Sequence, residues 1–308
     1  MSRYDTYEFK DFLDIKNKEI KNLPQGVGIS TMCASFKLDT KIDVPNIKKF
    51  LPLCADDIHT VKINNEEIRT LRPPKVKPKR TRKETKVVKK DVSKNAFYNQ
   101  VTVVIRISHG PTDDLGEEPS INLKLFKNGS VQMSGCKSIT SVNTVLNKLI
   151  VRLKEVKARF EDGRITEKTF IEEPDKITVK DFKIDMINSN YQVSIQIDRD
   201  KLYNLLQKKK IKSSYEPCIR ACVIIKYVPE LENKELKEVS VFVFQKGNII
   251  ITGARSKSHI MSAYEYMNDI LLTHKDEIIK KDEKEEEDLI LSLYKGIESD
   301  INIGLLNI

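Results

Sequence analysis

The stretch FKNGSVQMSGCKS, residues 126–138, is followed 118 residues later by FQKGNIIITGARS, residues 244–256. The two copies agree at Phe, Gly, Ser or Thr, Gly, Lys or Arg, and Ser, each at the same offset. The glycine in the fourth position suits a hairpin turn, and the closing serine suits a helix cap. The repetition predicts a chain built by internal duplication.

The segments around the two copies follow one order of strand, helix, strands and long helix. In the first half, period-2 and period-3.6 patterns predict strands within 28–43, 100–108, 120–129 and 130–135, and helices within 44–54 and 138–160. In the second half, they predict strands within 182–198, 218–228, 238–247 and 248–253, and helices within 199–210 and 256–281. This order indicates an α+β fold with antiparallel strands.

The net charge of +9 is concentrated in one segment. Residues 69–94 hold twelve Lys or Arg and two Asp or Glu, and the rest of the chain holds 42 basic and 43 acidic residues. Three prolines, no aromatic residue and dense charge leave too little apolar surface to order residues 72–90. We therefore predict a flexible basic insert at 66–96, whose role is a solvated linker, a nucleic-acid contact or nuclear targeting.

Several classes of protein find no support in the residues. The chain has no apolar run of the length of a membrane span, and its charged first residues do not form a secretory signal. Five cysteines without a CxxC pair and four scattered histidines give no metal spacing, and no phosphate loop or carboxylate cluster is visible. We expect a soluble intracellular protein with reduced thiols, no cofactor and no enzymatic activity.

Alternation along the strands predicts two faces of different character. The inward positions are apolar: Leu123, Leu125, Val131, Met133, Val241, Val243, Ile249 and Ile251. The opposite face is mixed in the first half: Thr102, Val104, Arg106, Lys124, Phe126, Gln132 and Ser134. In the second half it is mostly apolar: Cys222, Ile224, Lys226, Phe242, Phe244, Ile250 and Thr252. An open apolar face predicts an interaction surface, unless a third layer such as the C-terminal tail covers it.

The second half resembles the TATA-box-binding protein family. The resemblance is carried by SSYEPCIRACVIIKY (213–227), VFVFQKGNIIITGARS (241–256) and SHIMSAYEYM (258–267). The segments FKNGSVQMSGCKS (126–138) and FKLDTKIDVPNI (36–47) are similar to the first repeat of that family. A divergent member, such as one encoded by a large DNA virus, fits the pattern.

The resemblance implies an α+β saddle, in which two pseudo-symmetric repeats share one curved antiparallel sheet with helices on its convex face. The concave face of such a saddle lies on the DNA minor groove. The resemblance covers repeat 1 (27–158, apart from the insert) and repeat 2 (174–280), joined by a linker (159–173). Outside the resemblance, the residue patterns predict a helical N-terminal extension (1–26) and an acidic and apolar tail (281–308).

The resemblance also implies DNA-contacting residues. Phe126 and Phe244 match the second wedge phenylalanine of each repeat, whereas the first falls on Gln100 and Arg220, with Phe97 as a substitute in repeat 1. The remaining matches are Ser134 and Thr252 for the central threonines, Arg106, Lys137, Lys226 and Arg255 for phosphate contacts, and Phe242 and Ile250 for apolar groove contacts. The corresponding groove positions of repeat 1 are Lys124 and Gln132, and the base-reading asparagines fall near Thr31 and near Met186, beside Asn188.

The function implied is a non-enzymatic transcription initiation factor that binds AT-rich promoter DNA, with its better-kept DNA face in repeat 2. Tyr215, Glu216 and Pro217 match the edge at which the family meets transcription factor IIB, so we expect a IIB-like factor and RNA polymerase as partners. Its site of action would be the nucleus, a cytoplasmic viral factory or the virion. The alternative is a protein–protein adaptor on the same scaffold, with weak or lost specific DNA binding.

Overall fold

The computed structural model describes residues 20, 22–63, 66–71, 99–107, 120–161, 164–229 and 237–280. They form two compact units. Unit 1 comprises Met1–Ser189 with Gly253–Lys257, and unit 2 comprises Asn190–Thr252 with Ser258–Ile308. The mixture of antiparallel strands and helices confirms the α+β class predicted from the sequence.

Unit 1 is built on antiparallel strands covered by helices. Its elements are β1 (Gly28–Leu38), α1 (Val44–Phe50), β2 (Ile58–Ile63), β3 (Glu66–Thr70), β4 (Gln100–Arg106), β5 (Ser120–Phe126), β6 (Ser130–Cys136), α2 (Ile139–Leu153), β7 (Lys157–Glu161), β8 (Arg164–Lys168) and most of β9 (Val179–Gln192). The strand order is β9–β1–β6–β5–β4–β2–β3, and β7 and β8 form a separate hairpin.

The core of unit 1 lies between α2 and the inward face of the strands. Leu123, Leu125 and Val131 are fully buried, as their alternation with polar neighbours predicts. On α2, the stripe that includes Val145 and Leu149 is also fully buried. The helix begins where the sequence indicates, because the Ser138 hydroxyl accepts a hydrogen bond of 3.1 Å from the Ser141 amide.

Buried charges fasten α2 to the loop before β2. The guanidinium of Arg152 donates to the fully buried carboxylate of Asp57 at 2.6 Å and also pairs with Glu155. Burial alone would lower the pKa of Arg152, but its hydrogen bond with Asp57 and the charge of that carboxylate raise the pKa above the ordinary value. Lys148, also fully buried, donates to the backbone carbonyls of Asp56 and Arg106 at 2.7 and 2.9 Å. These contacts fix the end of β4.

Unit 2 repeats the arrangement of two helices and a set of antiparallel strands. It contains α3 (Arg199–Lys208), β10 (Ser213–Ser214), β11 (Cys222–Tyr227), β12 (Val239–Phe244), most of β13 (Asn248–Ala254), most of α4 (Lys257–Thr273) and the short α5 (Lys275–Ile278). The strand order is β10–β11–β12–β13. Val241, Val243, Ile249 and Ile251 are fully buried, which confirms their predicted inward orientation.

The glycine in the fourth position of each copy of the duplicated segment is required for steric reasons. Gly129 and Gly247 have φ angles of +83° and +78°, which favour glycine. A Cβ at Gly129 would collide with the carbonyl oxygens of Leu38 and Thr40, and a Cβ at Gly247 would collide with that of Val193. In each turn the glycine carbonyl accepts a 2.9 Å hydrogen bond, from the Leu38 amide in unit 1 and from the Val193 amide in unit 2. Both turns therefore require glycine.

Several predicted boundaries differ from the structure, among them the end of the helix predicted within 256–281, which is at Thr273. The helix predicted for 138–160 ends at Leu153. Residues 157–161, KARFE, instead form strand β7, which pairs with β8. The predicted linker 159–173 therefore includes part of a hairpin. The insert predicted for 66–96 begins later, because Glu66–Thr70 form β3 against β2.

Other predicted segments lie outside the described residues. These are most of the N-terminal extension, the insert at 72–96 with Phe97, and the tail 281–308. Within the described part of the extension, Gln25 and Gly26 form a turn. Among the described residues, no helix is both long and apolar enough to cross a membrane.

Candidate nucleic-acid interface

The outward face of unit 2 is organised in cross-strand rows. Residues directly opposite on antiparallel strands point to the same side, so the register defines each row. An end row pairs Cys222 with Phe244. A middle row runs through Ile224, Phe242 and Ile250, and a polar row through Lys226, Ser240 and Thr252.

The exposed part of the end and middle rows is apolar. Phe242, Phe244 and Ile250 are partly exposed, in contrast to the fully buried Val241 and Val243 that alternate with the two phenylalanines on β12. Cys222 and Ile224, which the sequence predicted on the open face, are buried. The predicted wedge ring of Phe244 is thus neither sealed in the core nor bare. Sheet faces that meet water are usually polar, so this surface is a candidate contact for a partner with an apolar or flat face.

Unit 1 has the same three rows with different contents. Its end row pairs Gln100 with Phe126, and Phe126 is partly exposed. Its middle row runs through Thr102, Lys124, Gln132 and Ser35, and its polar row through Val104, Asn122, Ser134 and Cys33. Lys124 and Gln132 are exposed. The sequence predicted this mixed character correctly.

A groove borders the wedge position of unit 1. It is lined by Phe126, Gln132, Ser35, Lys37, Asp181 and Lys183, among others. Lys37 and Asp181 form an exposed ion pair at 3.2 Å, so part of the positive charge in the groove is already neutralised. Most of the residues that line the groove are polar, in keeping with the middle row beside it.

The predicted phosphate contacts differ in their surroundings. Lys137 and Arg255 are both exposed in the short connections before α2 and α4. Arg106 ends β4 opposite Ser120. Lys226 donates to the Ser240 hydroxyl at 2.8 Å and pairs with Glu238 at 3.3 Å. Hydrogen bonding from Lys212 and Lys226 lowers the pKa of Glu238, so this carboxylate stays charged beside Lys226.

The predicted partner edge is only partly exposed. Tyr215 packs against α3, with its ring centroid 6.0 Å from that of Tyr203 and 5.7 Å from the guanidinium of Arg199. Glu216 and Pro217 are exposed. The following loop carries Ile219, which is 72% exposed and which the sequence did not single out.

The register separates two positions that the resemblance treated as equivalent. Gln100 lies opposite Phe126, whereas Cys222, not Arg220, lies opposite Phe244. Arg220 lies outside β11, exposed in the loop. Likewise, Lys226 pairs with Ser240 in unit 2. In unit 1 the residue that corresponds to Ser240 is Asn122, and it pairs with Val104 rather than with Arg106. The two hairpins thus differ by two residues in register, which leaves the faces unchanged.

Of the predicted base-reading positions, Thr31 lies in β1 and Met186 and Asn188 lie in β9, all three partly buried. The structure therefore places each of these residues on a strand.

Burial keeps several of the cysteine thiols in their neutral form. All five cysteines are free, and Cys136 and Cys222 are buried. Burial raises the pKa of Cys136 to about 12 and also raises the pKa of Cys33, so both remain neutral near pH 7. In the part of the chain that the structure describes, no group of three or more His, Cys, Asp or Glu could hold a metal ion.

Comparison with known proteins identifies the family. The model of the family described as transcription factor TFIID (or TATA-binding protein, TBP) matches residues 181–274. A TATA-box-binding protein-like protein of Acanthamoeba polyphaga mimivirus is 37% identical over 280 residues, which cover 87% of this chain and 70% of that protein. The alignment with the structure of Methanococcus jannaschii TBP covers 80% of this chain and 98% of the TBP chain, at 18% identity and a TM-score of 0.44. The chain belongs to the TATA-box-binding protein-like family.

Proposed function

We propose that this protein is a transcription initiation factor that binds AT-rich promoter DNA in the minor groove. The observation that carries the proposal is the outward face of unit 2, where Phe242, Phe244 and Ile250 form a partly exposed apolar surface. Family membership implies DNA binding and a non-enzymatic role.

The chemistry of the minor groove suits this surface. At A·T pairs the groove floor offers only acceptors, A N3 and T O2, and no protruding amino group. An apolar strand face can press against such a floor without burying an unsatisfied donor. At a G·C pair the N2 amino group of guanine would meet Phe242 or Ile250, which cannot accept its hydrogen bonds. The unit 2 face therefore favours A·T pairs.

The wedge step rests on Phe126 and Phe244. Each ends its strand beside a fixed glycine turn, so the backbone that carries the ring is rigid. A ring inserted at a base step unstacks it at a cost of a few kcal/mol, which the additional contact with the bent duplex offsets. The glycine turn thus holds the backbone of the wedge phenylalanine in a fixed position.

Electrostatic attraction would come from exposed cations outside the apolar rows. Lys137 and Arg255 are exposed, and Lys226 would have to leave Glu238 or share it. The basic residues at 72–94 add attraction without specificity. We therefore expect the affinity for DNA to fall steeply as the salt concentration rises. The preference for A·T over G·C pairs is expected not to fall in this way.

We further propose that a IIB-like factor and RNA polymerase dock after DNA binding. Glu216 and Pro217 are exposed for such a contact, while Tyr215 anchors the loop through Arg199 and Tyr203. The site of action would be the nucleus or a cytoplasmic viral factory.

The experiment is a binding and bending assay with the full chain and a variant lacking residues 72–96. This deletion spares β3, which removal of residues 66–96 would not. We expect both proteins to bend A·T-rich duplexes more than G·C-rich ones at moderate salt, with weaker overall affinity for the deletion. Binding that disappears with the insert, or that ignores base composition, would contradict the proposal and favour the adaptor.

A further inference from the structure

The middle rows of the two units contrast in chemistry although their positions correspond. Shifted by 118 residues, the pair Lys124 and Gln132 corresponds to the pair Phe242 and Ile250. Both pairs are directly cross-strand in the structure. Unit 1 therefore presents an ammonium and an amide at the positions where unit 2 presents a phenyl ring and a butyl group.

On the β5–β6 and β12–β13 hairpins, the neighbouring rows retain their character. Phe126 corresponds to Phe244 in the end row, and Ser134 to Thr252 in the polar row. Both phenylalanines are partly exposed. Within these two hairpins, the change from apolar to polar side chains is confined to the middle row, between a ring and a hydroxyl that both units keep. This pattern indicates a change in what the row contacts rather than a general loss of the face.

The middle row of unit 1 has the hydrogen-bonding groups that a G·C pair requires. The amide oxygen of Gln132 can accept from the N2 amino group of guanine, and its NH2 group can donate to N3 or O2 acceptors. The ammonium of Lys124 can donate to the O2 of cytosine. Thr102, at one end of the row, adds a hydroxyl group. Both Lys124 and Gln132 are exposed, so a groove floor can reach them.

We propose that unit 1 accepts G·C pairs in the minor groove through Lys124 and Gln132, whereas unit 2 rejects them through Phe242 and Ile250. This inference rests on the proposed minor-groove function. The preferred site is therefore asymmetric: the part read by unit 2 is restricted to A·T, and the part read by unit 1 has mixed composition. This asymmetry gives the protein a direction on DNA that a uniformly A·T site does not supply.

The test measures the affinity of the full chain for duplexes in which one A·T pair at a time is replaced by G·C or by inosine·C. Inosine lacks the N2 amino group, so inosine·C has the minor-groove edge of an A·T pair and the major-groove edge of a G·C pair. We expect G·C to weaken binding roughly 5- to 100-fold in one part of the site only, and inosine·C to restore it.

Two reciprocal variants assign the parts of the site to the units. The variant Lys124→Phe/Gln132→Ile is expected to extend the G·C penalty to the tolerant part. Conversely, Phe242→Lys/Ile250→Gln is expected to relieve the penalty in the restricted part. The control Lys157→Phe changes an exposed lysine on the β7–β8 hairpin and is expected to leave both parts unchanged. Circular dichroism and thermal melting check that each variant is folded.

The outcomes separate this inference from the function on which it rests. If inosine·C relieves no G·C penalty at any position, the minor groove is not read and both proposals fail. If inosine·C relieves equal penalties throughout the site in the wild type, minor-groove reading stands and the asymmetry is refuted. If penalties are asymmetric but the Lys124→Phe/Gln132→Ile variant leaves them so, the assignment to the middle row of unit 1 is refuted.

Discussion

Neighbouring residues on β12 separate the effect of a mutation on stability from its effect on DNA. Val243 is fully buried and faces the core, whereas Phe244 is partly exposed on the opposite face. The substitutions Val243→Ala and Phe244→Leu both remove apolar volume from adjacent positions of one strand. We expect Val243→Ala to lower the stability of the fold more than Phe244→Leu does, and Phe244→Leu to reduce DNA bending more than Val243→Ala does.

The magnitudes follow from burial and from stacking. Val243→Ala removes two fully buried carbon atoms and leaves a cavity, which costs about 2–3 kcal/mol of unfolding free energy. Phe244→Leu keeps most of the apolar volume at a partly exposed position, so its cost is about 1 kcal/mol or less. A leucine has no planar ring to stack in an opened base step, and loss of one such contact costs about 1–3 kcal/mol of binding free energy.

The assay combines chemical denaturation with fluorescence energy transfer between the ends of an A·T-rich duplex. At protein concentrations corrected for the folded fraction, Val243→Ala is expected to bend DNA as the wild type does. Phe244→Leu is expected to bind roughly 5- to 100-fold more weakly and to bend the duplex less. Wild-type bending by Phe244→Leu, or a loss of bending in Val243→Ala that exceeds its loss of folding, would refute the wedge argument.

Three further predictions concern stability and are measured by urea denaturation. Gly129→Ala and Gly26→Ala both place a Cβ on a residue with positive φ, and for Gly26→Ala the expected cost is roughly 1–2 kcal/mol. Only the Cβ at position 129 would also meet backbone carbonyls, so Gly129→Ala is expected to destabilise the protein several times as much. Equal effects of the two substitutions would contradict this. Asp57→Ala removes the buried partner of Arg152, leaving the guanidinium only Glu155, and is expected to cost about 3–5 kcal/mol, against less than about 1 kcal/mol for Lys180→Ala in an exposed pair; a small effect of Asp57→Ala would refute the importance of the buried pair. Because the pKa of Cys136 is raised to about 12 in the folded state, the unfolding free energy is expected to fall as pH rises from about 9 towards 12, and Cys136→Ala should flatten this decline.

The sequence predicted the faces of the strands better than their partners. Period-2 alternation placed Leu123 and Val241 in the core and Phe242 on the outward face, as the structure shows, because burial acts on each residue locally. The two-residue difference in register between the hairpins was not predictable in this way. A shift by two residues preserves every face, so the hydrophobic pattern does not report it.

Element ends were also set by contacts that the local pattern does not contain. The helical stripe of α2 ends at Leu153, and the next residues pair in β7 with a strand that sequence reasoning left as linker. The residues Asp162 and Gly163 between two alternating runs are a hairpin signal that could have found it. Strand β3 is not predicted from the sequence, because its segment EEIRT holds one apolar residue among charged and polar ones and runs directly into the basic segment.

For the candidate site, the family resemblance supplied the positions and the structure supplied their environments. The pairing of Lys226 with Glu238 joins residues twelve apart in the sequence, and no pattern in the sequence indicates it. The packing of Tyr215 against Tyr203 and Arg199 similarly depends on how α3 lies against the loop. Such contacts decide which predicted residues are available to DNA or to a partner, and they appear only in three dimensions.

The central claim, that the ring of Phe244 enters the minor groove at a base step, is tested most directly by photo-cross-linking. The full chain carrying benzoylphenylalanine in place of Phe244 would be irradiated on an A·T-rich duplex, and the cross-linked nucleotide mapped on both strands. The account predicts cross-links to sugar or base atoms on the minor-groove side of one base step. Cross-links scattered along the duplex, or DNA binding with no cross-link to DNA, would contradict it.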